Sequence, residues 1–183
     1  HTAEINMQDY YEKTPSMMWS PRAFQGTLQD VTTLLEHTDI DIFVRPAIDN
    51  KLFSGQVCTQ SEFIDMAKQM IEADSTLANE EIFIGGINYP EYEYRLFVVG
   101  GKVVASSQYR VNGDVIPLEG SPPNVKKLAE KFYKLNKLPS ACVIDIGTGY
   151  DNDSSKIGII EVNSIHNSGF YDIIKKDLIN SIA

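Results

Sequence analysis

The sequence is poor in several features that mark whole classes of protein. Its two cysteines, Cys58 and Cys142, stand far apart, which favours a reduced, cytoplasmic protein over a disulfide framework. No run approaches the roughly 18 apolar residues of a membrane span, and no basic segment followed by an apolar stretch opens the chain. Sixteen Lys and Arg against 25 Asp and Glu give a net charge of −9. Because a nucleic-acid binder needs a basic face, we expect neither a nucleic-acid nor a membrane partner.

Familiar catalytic and phosphate-binding motifs are also missing. The chain contains neither GxxxxGK(S/T) nor GxGxxG, the two glycine-rich loops that most often cradle phosphates. Its three histidines form no Ser/His/Asp or Cys/His arrangement that would predict nucleophilic catalysis. Apolar residues nevertheless make up 43% of the 183-residue chain, so it has enough apolar side chains for a folded core.

Periodicity and turn residues predict an α+β fold with largely antiparallel sheets. The clearest signal is a hairpin in which two β-rich runs, 93–99 and 102–109, flank Gly100-Gly101. Further strands are predicted at 41–45, 81–87, 141–146 and 156–162. Helices are predicted from Thr27 to about 36, from a capping box at Thr59 and Glu62 to about 71, from Ser121 to about 136, and at 169–182.

The order of these elements predicts three segments. Residues 1–26 lack clean periodicity and are interpreted as a connecting segment, with no regular elements assigned. Residues 27–85 form a first lobe and residues 86–183 a second, with a hinge near Gly85-Gly86.

Three oxygen-bearing side chains close two neighbouring apolar strands. Glu161 and Asn163 lie two residues apart on one strand and therefore point to the same side. Asp145 joins them if the two strands pair, and such a set suits Mg²⁺. The alternative is that the two acids are ordinary strand-end charges and Asn163 is a turn former. An unpaired buried Glu is costly, which favours the metal.

Candidate phosphate-binding cations lie in two places. Arg45 ends an apolar strand, and Lys51 lies in the loop that follows it. The alternative for these two is an Arg paired to a nearby acid and a solvated loop Lys. Arg95 lies in the hairpin with Glu93 on the same face, either as a cross-strand ion pair or as a phosphate-directed Arg that Glu93 holds.

These pieces, in this order, resemble the ATP-grasp superfamily. Phe43-Val44-Arg45-Pro46, Asp49-x-Lys51 and Phe53–Val57 resemble its phosphate-grip segment. The run from Glu93 to Val104 resembles the E-x-R strand pair of its second lobe, and Asp145 followed by Glu161-x-Asn163 resembles its metal signature. Many members carry Lys where this sequence has Arg45. An Arg-Pro pair with a displaced Lys resembles a divergent clade of bacteria and phages.

The resemblance implies two lobes with ATP between them, and roles for named residues. Arg45 and Lys51 would hold ATP phosphates, and Arg95, supported by Glu93, would contact the γ-phosphate or an acyl phosphate; Arg95 and Lys51 are the expected catalytic residues. The strand residues Glu81, Ile82, Phe83 and Ile84 would pass under adenine, and Asp145, Glu161 and Asn163 would hold Mg²⁺.

The function that the resemblance implies is an ATP- and Mg²⁺-dependent ligase. It would join a small-molecule or peptide carboxylate to an amine or thiol through an acyl phosphate. The alternative is a nucleotide-binding regulatory or partner module without catalysis. Members usually carry an N-terminal domain, whereas only 44 residues precede Arg45, so a further domain or partner chain is expected.

Overall fold

The computed structural model describes residues 5, 7–20, 23–48, 52–87, 89–151 and 154–171. The helices are α1 (Met7–Lys13), α2 (Leu28–Leu34), α3 (Gln60–Ala73) and α4 (Pro123–Asn136). The strands are β1 (Ala23–Thr27), β2 (Asp41–Pro46), β3 (Gln56–Thr59), β4 (Glu81–Gly86), β5 (Tyr92–Val99), β6 (Lys102–Val111), β7 (Asp114–Glu119), β8 (Ala141–Asp151) and β9 (Ser154–Asn163). Short 3-10 helices span Pro15–Met17, Ser75–Asn79 and Ile165–Asn167. The predicted α+β class with antiparallel sheets is confirmed.

The chain divides into two compact units. The amino unit contains Arg22–Ile87 with Asn6–Asp9, and the carboxyl unit contains Asn88–Ala183 with His1–Ile5 and Tyr10–Pro21. The domain bounds predicted from the sequence, 1–26, 27–85 and 86–183, stay a prediction.

The amino unit is an antiparallel sheet of order β1-β4-β2-β3 with helices against it. Alternate strand residues point to one face, and Ile42, Val44 and Ile82 on that face join Val31 and Phe63 of the helices in one buried cluster. Both helices begin at threonine caps. Thr27 accepts a hydrogen bond from the backbone of α2, and Thr59 with Glu62 forms the predicted capping box of α3.

The carboxyl unit is an antiparallel sheet of order β7-β6-β5-β8-β9. Its central hairpin turns at Gly100 and Gly101, whose φ angles of +56° and +80° are the left-handed values such a turn requires. One sheet face carries fully buried apolar residues, among them Leu96, Ile144 and Val162. Helix α4 packs on this unit and buries Val125, Ala129 and Phe132. The other face is left for polar chemistry.

Trp19 lies against strand β9 in the carboxyl unit. Its backbone N–H donates to the carbonyl of Ile159 at 2.7 Å, and its side chain is 3% exposed. The Lys156 ammonium lies 4.6 Å from the centre of the Trp19 ring. A side chain at Gly158 would meet the Trp19 backbone at 2.7 Å, so this close approach requires glycine.

The structure corrects several sequence predictions. Within residues 1–26 the chain forms α1, a 3-10 helix and β1, because β1 gains its regular structure by pairing with β4 rather than from its own sequence. Strand β3 lies where a loop was expected, and β7 was not predicted. Leu34, expected on the buried face of α2, is exposed. Helix α4 begins at Pro123, not Ser121. The helix predicted at 169–182 falls almost wholly outside the described residues.

Strand β7 is an edge strand, and all six of its residues are exposed. It carries Val115, Ile116 and Leu118 between two acids, Asp114 and Glu119, and Pro117 interrupts it. Among the described helices, none combines the length and the apolar character that crossing a bilayer demands.

Replacing Gly158 tests the contact between Trp19 and β9. A Gly158→Ala variant should lose about 1–3 kcal/mol of unfolding free energy, because the added methyl group meets backbone atoms that cannot rotate away. Urea denaturation followed by tryptophan fluorescence measures it, since Trp19 is the sole tryptophan. The matched control is Gly86→Ala, where an added Cβ meets nothing within 4 Å and a change below about 1 kcal/mol is expected. Equal losses in both variants would contradict this account of Gly158.

Candidate functional site

Arg45 lies on the face of the amino unit's sheet that is opposite the buried cluster. It pairs in register with Phe83 of β4, and Phe43 two residues earlier shares its side. Arg45 is 6% exposed, and its Nε donates to the carbonyl oxygen of Pro46 at 3.3 Å. Lys51, the second predicted phosphate-binding cation, lies outside the described residues.

Strand β4 holds the residues expected under adenine, and it is paired on both sides. Its partners are β1 and β2, which engage the main chain from Glu81 to Gly86. Ile82 and Ile84 belong to the buried apolar cluster, whereas Glu81 and Phe83 share the face of Arg45. Glu81 accepts a hydrogen bond from Gln25. A ligand on this face would therefore meet the side chains of alternate β4 residues rather than a free main chain.

A buried ion pair lies at the centre of the carboxyl unit's polar face. Arg95 of β5 pairs in register with Asp145 of β8, and its Nε and Nη2 donate to the two carboxylate oxygens at 2.9 and 2.6 Å. Asp145 is fully buried and Arg95 is 9% exposed. A two-pronged pair of this kind fixes the plane of the guanidinium as well as its position.

Burial and charge act on this pair in opposite directions. Burial raises the pKa of Asp145, the Arg95 guanidinium lowers it, and the nearby charge of Glu161 raises it again. Burial alone would lower the pKa of Arg95, but the hydrogen bonds and charge of Asp145 outweigh burial and raise it. The geometry favours the ionised pair, because a neutral Asp145 would leave a buried guanidinium charge uncompensated.

Two β-bulges lie beside the ion pair. The β8–β9 register shifts between Asp145 and Ile146, directly after the pairing of Asp145 with Glu161. The β5–β6 register shifts between Glu93 and Tyr94, so that Tyr109 of β6 has no partner residue on β5. Bulges re-aim side chains where a strand passes a functional site. Here they lie on both sides of Arg95 and Asp145.

The structure brings the three predicted metal ligands together. Asp145 faces Glu161 across the strand pair, and Asn163 follows on the same side of β9. The Asn163 amide Nδ2 donates to the Glu161 carboxylate at 2.7 Å, which leaves the Asn163 amide oxygen as its metal-binding atom. Among the described residues no three of His, Cys, Asp and Glu lie grouped for a metal, and this set is two carboxylates and an amide.

The chemistry of these side chains fits Mg²⁺. All three provide oxygen atoms, and Mg²⁺ is typically held by one or two carboxylates with waters and phosphates completing its shell. The Asp145 and Glu161 carboxylates interact closely enough for the charge of one to raise the pKa of the other. Arg95 neutralises only one of them, so an additional positive charge at this place would be favourable.

Glu93 contacts a different partner from the one predicted. The sequence placed it beside Arg95 as an ion-pair partner, but Arg95 pairs with Asp145 instead. The Glu93 carboxylate accepts a hydrogen bond from the Tyr109 hydroxyl and lies 3.9 Å from the Arg110 guanidinium. The reason is that Asp145 is directly opposite Arg95 in the ladder, whereas Glu93 precedes Arg95 on the same strand.

Two tyrosine rings lie against the Arg95 guanidinium. Its central carbon is 5.1 Å from the centre of the Tyr109 ring and 5.2 Å from that of Tyr171. The two rings stack on each other with centres 5.0 Å apart. Burial, with the charges of Asp145 and Glu93, raises the pKa of Tyr109 well above its usual value, so its hydroxyl stays a donor.

The segment after β9 returns across the same face. The Gly169 carbonyl accepts a hydrogen bond from Arg95 Nη1 at 3.4 Å, and the Phe170 ring stacks on Phe97 with centres 5.6 Å apart. Two aromatic residues after a Gly are the only sequence signal for these contacts. Tyr109 was interpreted from the sequence mainly as a core residue, since its bulge is not visible in the strand pattern.

The family of the chain follows from a family-model comparison. A model of the ATP-grasp domain, the second family of its clade, matches residues 22–180. The chain therefore belongs to this ATP-grasp family. The resemblance predicted from the sequence is confirmed at this level. No curated protein matches the chain.

Solved ATP-grasp structures share the fold at low sequence identity. The D-alanine–D-alanine ligase of Bacillus anthracis has a TM-score of 0.59 at 14% identity, with 89% of this chain and 57% of that chain covered. A RimK domain protein of Sphaerobacter thermophilus has a TM-score of 0.59 at 10% identity, covering 90% and 59%. The D-cycloserine synthetase DcsG has a TM-score of 0.56 at 12% identity, covering 85% and 59%. The chain spans less than two thirds of the length of each.

Breaking the buried ion pair should destabilise the carboxyl unit. In an Asp145→Asn variant the guanidinium charge of Arg95 stays buried without a countercharge, and a loss of about 3–5 kcal/mol of unfolding free energy is expected. Thermal and urea unfolding measure it. The matched control is Glu130→Gln, which removes the exposed pair with Lys102 and should cost less than about 1 kcal/mol. A loss no larger than that of the control would rule out the central role of the pair.

Proposed function

We propose that the protein binds ATP and Mg²⁺ and works as a carboxylate–amine or carboxylate–thiol ligase through an acyl phosphate. The observation that supports this proposal best is the cluster on the polar face of the carboxyl unit. Arg95 is held there by Asp145, with Glu161 and Asn163 beside the same carboxylate. A phosphate-directed cation and a set of oxygen ligands are the two requirements of phosphoryl transfer that side chains must meet.

In this proposal Asp145, Glu161 and Asn163 hold the metal. When bound, Mg²⁺ would neutralise phosphate charge and orient the phosphate oxygens. Asn163 would ligate through its amide oxygen, because its Nδ2 is already donated to Glu161. Asp145 would share its carboxylate between the metal and Arg95.

Arg95 is proposed as the cation that contacts the γ-phosphate or the acyl phosphate. Two of its N–H groups are donated to Asp145 and one to the Gly169 carbonyl, out of the five that a guanidinium carries. The remaining N–H groups are its means of holding phosphate oxygens. Its fixed plane lowers the entropy lost when a phosphate binds.

Residues of the amino unit are proposed to contact the rest of the nucleotide. Arg45 and Lys51 would hold phosphates, and Lys51 with Arg95 would serve catalysis. Glu81, Ile82, Phe83 and Ile84 would form the strand beside adenine, and the double pairing of β4 assigns the contacts to Glu81 and Phe83 by their side chains. Glu93 would act through Tyr109 rather than on Arg95 directly.

The proposed reaction agrees with the residue types in the cluster. ATP would phosphorylate a carboxylate to give an acyl phosphate and ADP, and an amine or thiol would then displace the phosphate. Such chemistry needs positioning and charge neutralisation more than a protein nucleophile. The buried thiol of Cys142, whose pKa burial raises to about 12, is not a nucleophile for it. Substrates are proposed to be a small-molecule or peptide carboxylate and an amine, in the cytoplasm, with a further domain or partner chain.

Calorimetric titration of ATP and ADP, each with and without Mg²⁺, tests the nucleotide site. Mg²⁺ should strengthen binding to the wild-type chain, and a Glu161→Gln/Asn163→Ala variant should lose at least about tenfold in affinity, equivalent to about 1.4 kcal/mol. The matched control is Glu119→Gln/Asn124→Ala, which makes the same substitutions at two exposed positions of the same unit. Absence of binding by the folded wild-type chain would refute the proposal for this chain.

ATP turnover separates the ligase from a regulatory module. With a supplied carboxylate and amine, a ligase releases ADP and phosphate, and Glu161→Gln should abolish the release while the variant stays folded. Nucleotide binding without turnover under any supplied acceptor would instead favour a non-catalytic module.

A further inference from the structure

We infer that Tyr109 is a positioning residue that holds the Arg95 guanidinium in place, an inference that rests on the proposed role of Arg95 in nucleotide binding. Asp145 grips one edge of the guanidinium through Nε and Nη2. An edge contact alone lets the plane tilt about the line between the two carboxylate oxygens. The Tyr109 ring, 5.1 Å from the guanidinium carbon, opposes that tilt.

The backbone of β6 places Tyr109 for this contact. Tyr109 has no partner residue in β5 or β7, because the register of β6 shifts there against both neighbouring strands. A buried tyrosine that only filled space would need no interruption of two ladders. The shift instead turns the ring toward the same face as Arg95 and Asp145.

The hydroxyl of Tyr109 fixes the ring from its far end. It donates to the Glu93 carboxylate, which is 9% exposed and lies near Arg110. Raised well above its usual value, the pKa of Tyr109 keeps this hydroxyl protonated and donating. The contacts therefore form a chain from Arg110 through Glu93 and Tyr109 to Arg95.

The second ring differs from the first in exposure. Tyr171 stacks on Tyr109 and lies 5.2 Å from the guanidinium carbon, but it is 38% exposed, whereas Tyr109 is 5% exposed. Tyr109 is thus the buried support and Tyr171 an outer neighbour. The positioning function is assigned to Tyr109 for this reason.

Nitrogen-15 NMR of the Arg95 Nε–H group tests the positioning without any nucleotide. In Tyr109→Met, which keeps apolar volume but has no ring, hydrogen exchange of this group should accelerate about tenfold. The matched control is Tyr94→Met, which removes another buried tyrosine from the opposite face of the same sheet and should leave the Arg95 exchange rate at its wild-type value. An exchange rate in Tyr109→Met that equals the control's overturns the inference.

Nucleotide titrations supply a second readout that a merely structural role would not move. If Arg95 contacts the γ-phosphate, Tyr109→Met should weaken ATP binding about tenfold and leave ADP binding within about twofold. Equal losses for ATP and ADP overturn the inference, since general damage to the fold does not distinguish the two nucleotides. Failure of the wild-type chain to bind ATP overturns the proposed function, while the exchange rate of Arg95 still decides whether Tyr109 positions it.

A milder variant keeps the test decisive if Tyr109→Met does not fold. Tyr109→Phe retains the ring and loses only the hydrogen bond to Glu93. Its Arg95 exchange rate should lie between those of the wild type and the ring-less variant. If the methionine variant is unfolded and the phenylalanine variant exchanges at the wild-type rate, the inference is overturned.

Discussion

The buried ion pair between Arg95 and Asp145 is the constraint on which the carboxyl unit depends. A fully buried carboxylate and a nearly buried guanidinium are tolerated only when each satisfies the other. Asp145 then influences Glu161 on the next strand, and Arg95 orients the two tyrosine rings and the Gly169 carbonyl. The pair therefore couples the central strands, the proposed metal ligands and the segment after β9. Such a pair contributes less to stability than apolar packing would, which favours a functional reason for its position.

Each unit separates packing from chemistry by the alternation of its strands. In the amino unit, Val44 points into the apolar cluster and Arg45 to the other face; in the carboxyl unit, Ile144 and Asp145 do the same. Adjacent residues thus serve opposite purposes, and a shift of register by one residue would exchange them. The two bulges beside Asp145 and Tyr109 change this alternation locally without disturbing the strands beyond them.

Sequence reasoning predicted the fold where local signals were strong. The Gly100-Gly101 turn, the Thr59 capping box and the grouping of Asp145 with Glu161 and Asn163 all follow from short patterns, and the structure has each of them. It failed where tertiary pairing decides the outcome. Strand β1 exists because β4 lies beside it, and the partner of Arg95 is set by the β5–β8 register, which no local pattern encodes. Tyr109 escaped because bulges leave no periodic trace.

The exposed edge strand β7 bears on how copies of this protein behave at high concentration. An unpaired strand with Val115, Ile116 and Leu118 exposed would ordinarily template pairing with another chain. Pro117 offers no N–H for such a ladder, and antiparallel pairing of two copies in a centred register would bring Asp114 against Glu119. With a net charge of −9 acting in the same direction, the strand is poorly suited to start a fibre. The same residues leave its apolar side chains in water without making them adhesive to their own kind.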